Sequence, residues 1–248
     1  MEMMFEQAYA GKRVLVTGHT GFKGSWLTTW LLKLGATVAG FSDCVPTEPS
    51  MFEKTGLAEN IEHHLGDVRD LAAVTRVIEA FKPDFVFHLA AQAIVSTSYS
   101  DPVGTITTNV VGTANVLEAL RLLNPNCVAI MITSDKCYEN VEWVWGYKET
   151  DHLGGRDIYS GSKGAAEVIM IATQSGLSRR SASSTLAVPI TLVVMVPSGS
   201  LYEVETIACA ARWKTKSGRN SPITRLTVAR SRSSCGISRS ARQSRASG

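Results

Sequence analysis

The stretch KRVLVTGHTGFKG, residues 12–24, joins a short apolar run directly to a glycine-rich turn. Residues 12–17 have the composition of a buried parallel strand, and apolar residues with helical spacing follow over 22–34. The turn is spaced GxxGxxG, one residue longer in its first gap than the GxGxxG of dinucleotide-binding turns. Strand, turn and helix in this order predict a loop that holds a diphosphate at a helix N-terminus.

The same alternation of strand and helix continues along the chain. Further predicted strands lie at 36–41, 61–65, 84–89 and 128–133, and predicted helices at 70–81, 105–123 and 158–172. Strands alternating with helices argue for a parallel sheet that is covered on both faces. The sequence therefore predicts an α/β fold of the Rossmann type, a doubly wound parallel sheet.

The composition changes after about residue 175. Residues 1–175 contain 13 Lys and Arg against 20 Asp and Glu, whereas residues 176–248 contain 12 against 2, with 15 Ser and no Phe. Sequence of this kind lacks the apolar residues of a packed core. We therefore expect a Rossmann domain over 1–175 and a Ser/Arg-rich, poorly ordered tail over 176–248. The tail has one candidate strand at 186–197.

Two interpretations of the tail stay open. A shift of reading frame would explain the loss of pattern, and we favour it because the Ser/Arg run has no aromatic interleaving and no defined nucleic-acid motif. A genuine basic tail that binds an anionic partner is the alternative. Nucleic acid is therefore not expected as a partner.

Composition also limits the class of protein. With 44% hydrophobic residues and a net charge of +3, the 248-residue chain resembles a globular protein that buries a core. Residues 1–13 lack the apolar segment of a secretory signal, and the apolar run at 186–197 is too short to span a bilayer. Five cysteines are scattered without metal-ligand spacing, which indicates reduced thiols in the cytoplasm and no metal site.

A pair of reactive side chains opens the helix predicted at 158–172. Tyr159 and Lys163 are four residues apart, so both project from one helix face. A phenol titrates at about 10, and a neighbouring ammonium together with a nicotinamide charge would lower that pKa enough for a base. Ser134 ends a predicted strand, at the edge where parallel sheets place reactive groups, and its hydroxyl can bond the oxygen that Tyr159 deprotonates.

Two charged residues follow Ser134 directly. Asp135 could serve as an acid beside the hydroxyl and the amine of Lys136. An Asp that caps the strand and a solvated Lys explain the pattern equally well, and both interpretations stay open.

Asp43 is the candidate for holding the adenosine ribose, because it follows the second predicted strand 19 residues after Gly24. An acidic residue at this point favours NAD. No arginine follows that turn closely, which argues against the 2′-phosphate of NADP. An ordinary loop aspartate is the alternative interpretation.

Eight segments within roughly the first 170 residues carry a family resemblance. They are GKRVLVTGHTGFKGSWL (11–27), PTEPSMF (46–52), GDVRD (66–70), FHLAAQ (87–92), SYSDP (98–102), TNVVGTANVLEA (108–119), TSDKCYEN (133–140) and DIYSGSKGAAE (157–167). In these segments the chain resembles the extended short-chain dehydrogenases/reductases of the NAD-dependent epimerase/dehydratase family. It is most similar to the branch of nucleotide-sugar 4,6-dehydratases that acts on CDP-glucose.

The resemblance implies roles for matching residues. The implied cofactor-binding residues are Gly18, Thr20, Gly21, Phe22, Lys23, Gly24, Asp43, Asp67, Val68, Leu89, Ala90, Ala91, Tyr159 and Lys163. The implied catalytic residues are Ser134, Asp135, Lys136, Tyr159 and Lys163, and the implied substrate-binding residues are Gln92, Ser134 and Tyr138. Lys136 stands where related dTDP-glucose dehydratases commonly have a Glu base, which leaves the C5 base open.

The implied reaction removes water from a nucleotide sugar with NAD as a cofactor that is regenerated in each cycle. Helices near 101–123 and 158–173 would form a homodimer. The resemblance stops in the C-terminal part, because TLVVMVPSGSLYEV (191–204) lacks the asparagine-bearing loop of the family, and AIVST (93–97) replaces the usual Pro- and Arg-containing loop. The resemblance therefore implies that the C-terminal substrate domain is missing or degenerate, so that this chain could be inactive. A nucleotide-sugar 4-epimerase and a truncated, non-catalytic NAD-binding module are the alternative functions.

Overall fold

The computed structural model describes residues 8–148, 150–180, 190–195 and 207–208, with the backbone alone for 174–180, 190–195 and 207–208. The strands in this part of the chain are β1 (Arg13–Thr17), β2 (Thr37–Ser42), β3 (Glu62–Leu65), β4 (Phe85–His88), β5 (Val128–Ser134), β6 (Ile190–Met195) and β7 (Ile207–Ala208). The α-helices are α1 (Phe22–Lys33), α2 (Met51–Lys54), α3 (Leu71–Phe81), α4 (Val95–Ser100), α5 (Pro102–Ile106), α6 (Gly112–Leu123) and α7 (Ile158–Arg180).

These strands form one sheet in the order β3-β2-β1-β4-β5-β6-β7. All neighbours pair in parallel except β6 and β7, which are antiparallel. The last residue of β1, Thr17, is level with Phe41 of β2 and His88 of β4. The carboxyl ends of the central strands therefore meet at one edge, and the predicted Rossmann fold is confirmed.

Two apolar clusters cover the two faces of this sheet, because alternate strand residues point to opposite sides. On one face Leu15, Val86 and Met131 pack with residues of α3, α6 and α7. On the other face Val14 and Val16 pack with α1. A groove of about 670 Å³ remains beside α1 on this second face. Its apolar lining residues are Trp26, Leu27, Trp30, Phe87, Leu89, Ile130 and Ile132.

Two helices begin where an aspartate side chain caps the first turn. The Asp70 carboxylate accepts hydrogen bonds from the backbone N–H groups of Ala72 and Ala73 at 2.9 and 3.2 Å, which fixes the start of α3. Asp101 accepts from the Gly104 N–H at 2.9 Å, and Pro102 occupies the first turn of α5.

The structure differs from the predicted elements in three places. The helix predicted over 105–123 begins at 102 and contains a π-helical turn, Thr107–Val111, between α5 and α6. The helix predicted over 158–172 continues to Arg180. The short helices α2 and α4 were not predicted, because segments of four to six residues show no measurable periodicity.

The tail is covered only in part. Strand β6 occupies 190–195, inside the stretch 186–197 where the sequence predicts a strand. The remaining predictions for 176–248 concern residues that, apart from 176–180 and 207–208, lie outside the described ones. Across the described residues, no helix has both the length and the apolar character needed to cross a membrane.

Candidate active site

The glycine turn after β1 packs its backbone against two neighbouring elements. Gly18 has a φ of +72°, and a Cβ atom there would lie 2.8 Å from the backbone nitrogen of Ala90. A Cβ on Gly24 would collide with the carbonyl oxygen of Gly18. Gly21 is the N-cap of α1 and has no side chain to bond the free N–H groups of the first turn. The turn therefore offers bare backbone donors at a helix N-terminus, as a diphosphate requires.

A buried histidine holds this turn in place. The His19 ring is inaccessible to solvent, with Nε2 2.7 Å from His63 Nδ1 and Nδ1 3.0 Å from the hydroxyl of Ser42. Ser25 donates its hydroxyl to the His19 carbonyl at 3.0 Å. Burial, followed by the neighbouring His63, lowers the pKa of His19 to about 4. The imidazole is therefore neutral and ties the turn to β2 and β3.

The other residues assigned to the turn lie around its mouth. Thr20 is buried and donates its hydroxyl to the Cys44 carbonyl at 2.6 Å. Phe22 and Lys23 are exposed at the start of α1. Leu89 and Ala90 donate their backbone N–H groups to the carbonyl and hydroxyl of Thr17, both at 3.1 Å. Leu89, Ala90 and Ala91 are half-buried beside the turn.

The structure brings an arginine to the acidic residues at the ends of β2 and β3. Asp43 is exposed directly after β2. Arg69 bonds the Asp67 carboxylate through Nε at 2.7 Å, which lowers the pKa of Asp67, and the charge of Asp43 also acts on Arg69. Val68 points into the core, and its carbonyl accepts from the Asn115 amide at 2.9 Å. Sequence reasoning looked for an arginine only next to the β2 turn and missed Arg69.

The predicted phenol–ammonium pair is buried at the start of α7. Tyr159 is 8% exposed and Lys163 is 7% exposed, with the Lys163 Nζ atom 5.9 Å from the centre of the Tyr159 ring. Burial raises the pKa of Tyr159, and a hydrogen bond with Ser134 opposes that rise. Burial lowers the pKa of Lys163 to about 8. The structure thus brings Ser134, Tyr159 and Lys163 together. The lowered pKa of Tyr159 that we expected from a neighbouring ammonium and a nicotinamide charge is not found in the chain alone, because burial raises that pKa.

Asp135 lies beside this pair. The Ser134 hydroxyl donates to Asp135 Oδ1 at 2.9 Å, and the negative charge of Asp135 contributes to the raised pKa of Tyr159. Lys136 is exposed on the following 3-10 turn, Asp135–Cys137. Tyr138 is buried just after it, and its ring stacks on Tyr147 with centres 5.0 Å apart. The carboxyl of Asp135 therefore shares the Ser134 hydroxyl with the phenol, whereas Lys136 faces solvent.

A buried polar network below the pair was missed by sequence reasoning. The Asn109 amide nitrogen donates to the Ser162 hydroxyl at 2.8 Å, and the Ser162 hydroxyl donates to the Tyr159 carbonyl at 2.7 Å. The Asn109 amide oxygen accepts from the Gln92 N–H at 2.9 Å. Asn109 sits in the π-helical turn, and a polar residue in the apolar stripe of a helix was the available signal.

His88 lies within the same network. Its Nδ1 atom is 2.7 Å from the Thr17 hydroxyl and its Nε2 atom is 3.2 Å from the Thr113 hydroxyl. Burial, with a smaller contribution from the Lys163 charge, lowers the pKa of His88 to about 3. The network therefore joins β1, β4 and α6 underneath the site with a neutral imidazole. Among the described residues, no group of His, Cys, Asp or Glu could hold a metal ion.

A parallel Rossmann sheet, a glycine turn and a half-buried Ser beside a buried Tyr and Lys define an extended short-chain dehydrogenase/reductase. Residues 15–183 match the sequence family described as GDP-mannose 4,6 dehydratase. The chain belongs to this family.

Two relatives show the range of similar activities. The chain is 50% identical over 167 residues to the CDP-glucose 4,6-dehydratase of Salmonella typhimurium, covering 67% of this chain and 46% of that protein. It is 32% identical over 183 residues to the CDP-paratose 2-epimerase of Salmonella typhi, covering 64% of this chain and 52% of that protein. The chain thus spans about half the length of the curated relatives it matches.

Solved structures with the same fold include epimerases. The UDP-glucose 4-epimerase of Thermus thermophilus, in complex with NAD, superposes with a TM-score of 0.61 at 27% identity, over 73% of this chain and 53% of that chain. The epimerase Mth375 of Methanothermobacter thermautotrophicus superposes with a TM-score of 0.64 at 29% identity, over 77% and 53% of the two chains.

Proposed function

We propose that this chain is a nucleotide-sugar 4,6-dehydratase that binds NAD and dehydrates CDP-glucose to CDP-4-keto-6-deoxyglucose. The observation that carries the proposal is the placement of Asp135 beside the Ser134–Tyr159 pair, at the carboxyl end of β5. An oxidoreductase needs the phenol and the hydroxyl alone, whereas elimination of water also needs an acid. Similarity to the Salmonella CDP-glucose 4,6-dehydratase over 167 residues supports the choice of sugar nucleotide.

The residues around the glycine turn fit NAD. Side chains on Gly18 or Gly24 would fill the space where the backbone approaches its neighbours, so these glycines leave the backbone N–H groups open to a diphosphate. Asp43 would accept the ribose hydroxyls, with Asp67 and Val68 beside the adenine. Leu89, Ala90, Ala91, Thr20, Phe22 and Lys23 would complete the contacts. Residues 1–175 would form this NAD-binding domain.

Tyr159 is the proposed base for the first proton transfer, from the C4 hydroxyl. Its phenolate would take the proton of the C4 hydroxyl, while the Ser134 hydroxyl bonds the same oxygen and Lys163 supplies a positive charge nearby. NAD, when bound, would supply a hydride acceptor beside C4 and, in its reduced form, a hydride donor for C6. Gln92 and Tyr138 would contact the sugar beside these groups.

Water would then leave across C5 and C6. The C4 ketone acidifies the C5 proton, and Asp135 in its protonated form would give a proton to the departing C6 hydroxyl. Lys136 lies on the same turn and is the candidate for the group that would remove the C5 proton and return it to C5 when hydride reaches C6. The C4 hydroxyl proton left on Tyr159 would replace, through solvent, the proton that Asp135 gives up. The product is a 4-keto-6-deoxy sugar and one water, with the cofactor in its starting state.

A nucleotide-sugar 4-epimerase is the second candidate function, favoured by the fold shared with UDP-glucose 4-epimerase structures. A non-catalytic NAD-binding module is the third, because the chain spans about half of its relatives. Neither the epimerase nor the NAD-binding module would form a 4-keto-6-deoxy product. Only the dehydratase requires the Asp135 carboxyl.

Incubation of the purified chain with NAD⁺ and CDP-glucose separates the three functions. We expect a product with the alkali-labile near-ultraviolet absorbance of a 4-keto sugar, and mass spectrometry should show the loss of one water. Conversion to CDP-galactose without loss of water would establish the epimerase. Binding of NAD⁺ in calorimetry without conversion of the sugar would support the non-catalytic NAD-binding module. Absence of NAD⁺ binding would refute all three functions.

We also propose that the chain forms a homodimer in the cytoplasm, through the helices near 101–123 and 158–173. Several apolar side chains on α5, α7 and the π-helical turn are exposed to solvent. They are Val103, Ile106, Val111, Val168 and Ile171. Because α5 and α7 are neighbours, these side chains would be available for packing against the same helices of a second copy.

A further inference from the structure

We propose that Trp143 and Trp145 form a platform on which the base of the sugar nucleotide stacks, at the rim of the candidate active site. The inference rests on the proposed function, because it adds a base subsite to the same site. Both rings belong to residues 139–152, called the aromatic loop below, which leads from the 3-10 turn after β5 towards α7.

The two ends of the aromatic loop meet beside the reacting groups. Tyr138, just before the loop, and Leu153, just after it, pair as an isolated antiparallel bridge. Ser134 precedes the loop by a single 3-10 turn, and Tyr159 follows it at the start of α7. Reacting groups therefore flank the loop on both sides, which places it at the mouth of the site.

A stack of aromatic rings runs from the buried start of the loop to its exposed part. The ring of Tyr138 is buried and lies parallel to that of Tyr147, with an interplanar angle of 4° and centres 5.0 Å apart. The ring of Tyr147 in turn contacts Trp143, with centres 5.9 Å apart. Trp143 is therefore supported by the stack, while 48% of its surface stays exposed.

Hydrogen bonds fix the backbone around these rings. The Tyr147 hydroxyl donates to the Asn140 amide oxygen at 3.2 Å and accepts from the Val141 N–H at 3.3 Å. The Asn140 side chain also bonds the N–H and the carboxylate of Glu142, at 3.2 and 2.6 Å. Glu142 has a φ of +54°, a conformation that non-glycine residues keep only where their surroundings hold it. The loop is therefore ordered before a ligand arrives, so little ordering opposes binding.

The exposed part of the loop offers large rings and no charge. Trp145 is 71% exposed, and Val144, between the two tryptophans, is 91% exposed. Exposed apolar groups that lie together mark binding surfaces. Because residues 143–145 have no ionisable side chain, this surface suits a planar, uncharged ring better than a diphosphate. Nucleobases stack on aromatic side chains of this kind.

The position of the loop favours the base of the substrate over the adenine of NAD. The proposed adenosine site lies at the ends of β2 and β3, whereas the loop follows β5, and β1 and β4 lie between β2 and β5 in the sheet. The hexose must reach Ser134 and Tyr159 to react. The base is joined to that hexose through a ribose and a diphosphate, so it would lie away from the reacting carbon atoms, at the rim.

Binding of CDP to the purified chain tests the platform, because CDP contains the base and lacks the hexose. In isothermal calorimetry we expect the dissociation constant of CDP to rise about tenfold in Trp143→Ala, and less than about threefold in Trp143→Phe, which keeps an aromatic ring. UDP should lose affinity by a similar factor, because every base has a π-face. Trp26→Ala removes a 57% exposed indole on α1 and is the matched control, with unchanged CDP affinity.

An unchanged dissociation constant in Trp143→Ala, an equal loss in Trp26→Ala, or no binding of CDP to the unmodified chain would overturn the inference. Trp145→Ala provides a second variant if Trp143→Ala does not fold, and it should also weaken CDP binding. No weakening in a folded Trp145→Ala would count against the platform. A smaller mass in solution for Trp143→Ala, with CDP affinity intact, would show a contact between copies instead of a base subsite.

CDP binding needs neither NAD⁺ nor turnover, so its outcome is separate from that of the proposed function. A chain that binds CDP through Trp143 but forms no 4-keto sugar refutes the dehydratase and leaves the platform in place. In a chain that turns over, Trp143→Ala should raise KM about tenfold and change kcat less than about twofold, because stacking of the base is equal in the ground and transition states. A loss of kcat at constant KM would contradict the platform.

Discussion

The Cα atom of His19 lies so close to α1 that a Cβ atom on Gly24 would stand 2.7 Å from it. Such a separation is too short for two carbon atoms, and the Gly18 carbonyl oxygen would be closer still. The start of α1 and the glycine turn therefore keep their positions only while residue 24 has no side chain.

Gly24→Ala should consequently weaken NAD⁺ binding about 100-fold, equivalent to a loss of about 3 kcal/mol. Isothermal calorimetry measures this directly. Gly161→Ala is the matched control, because a Cβ there meets no atom within 4 Å. Equal affinities in the two variants would show that the turn does not hold the cofactor.

Tyr159→Phe should abolish formation of the 4-keto sugar and change NAD⁺ affinity less than about threefold. The reason is that the phenol oxygen moves the C4 proton, whereas the ring remains in its buried place. Product absorbance and calorimetry on the same preparation give both quantities. Turnover at the rate of the unmodified chain would eliminate Tyr159 as the base.

Asp135→Asn should stop elimination of water but permit slow hydride transfer to bound NAD⁺. The amide cannot give a proton to the C6 hydroxyl, although it can still accept the Ser134 hydrogen bond. Single-turnover absorbance of NADH reports the hydride step, and mass spectrometry reports the loss of water. If water is lost at the usual rate, the acid is another group.

His88 should make the fold sensitive to acid. An unfolded histidine titrates near 6.5 and the buried one near 3, so below about pH 6.5 the unfolded chain binds a proton that the folded chain does not. Stability is therefore present at neutral pH and falls as pH decreases, by about 2 kcal/mol between pH 6.5 and 5. Urea unfolding at a series of pH values measures the loss. His88→Gln should reduce the slope of this part of the profile by about half, because His19, with a pKa of about 4, accounts for a similar share. Exposed His152→Gln is the control and should leave the contribution of His88 in place.

Val168→Glu should convert a dimer into a monomer. This side chain is 53% exposed on α7 and belongs to the apolar surface shared with α5, so a carboxylate there would be buried against a second copy. Sedimentation equilibrium gives the mass in solution. Leu71→Glu, at a side chain that is 40% exposed at the start of α3 and outside these helices, is the control and should leave the mass in solution unchanged. A monomer before any substitution would refute the dimer itself.

The parallel sheet could be predicted from the sequence because most of its strands are short apolar runs, whereas the largely polar β3, with the sequence EHHL, was a weaker candidate. The glycine turn and the Tyr159–Lys163 pair were predictable for a similar reason, since both depend on spacing within one element. The sequence also predicted that the turn and the pair lie at one edge of the sheet, because the carboxyl ends of parallel strands meet there. The local sequence pattern and the sheet topology therefore predicted the same site, at the carboxyl edge of the strands.

Asn109 and Ser162 were not predicted as part of the site, because their contact joins residues that are 53 positions apart in the sequence. The π-helical turn that aims Asn109 inward leaves no signature in apolar spacing. A polar residue within a predicted helix could have marked Asn109 as a candidate, but only the fold identifies Ser162 as its partner.

The hydrogen bonds of the His19 imidazole affect the free energy with which the glycine turn binds a diphosphate. A segment that is already fastened to β2, β3 and the first turn of α1 has given up its conformational entropy during folding. An incoming diphosphate then meets donors that are preorganised, so little ordering of the backbone opposes association. Free and occupied forms of the loop should accordingly superpose within about 1 Å.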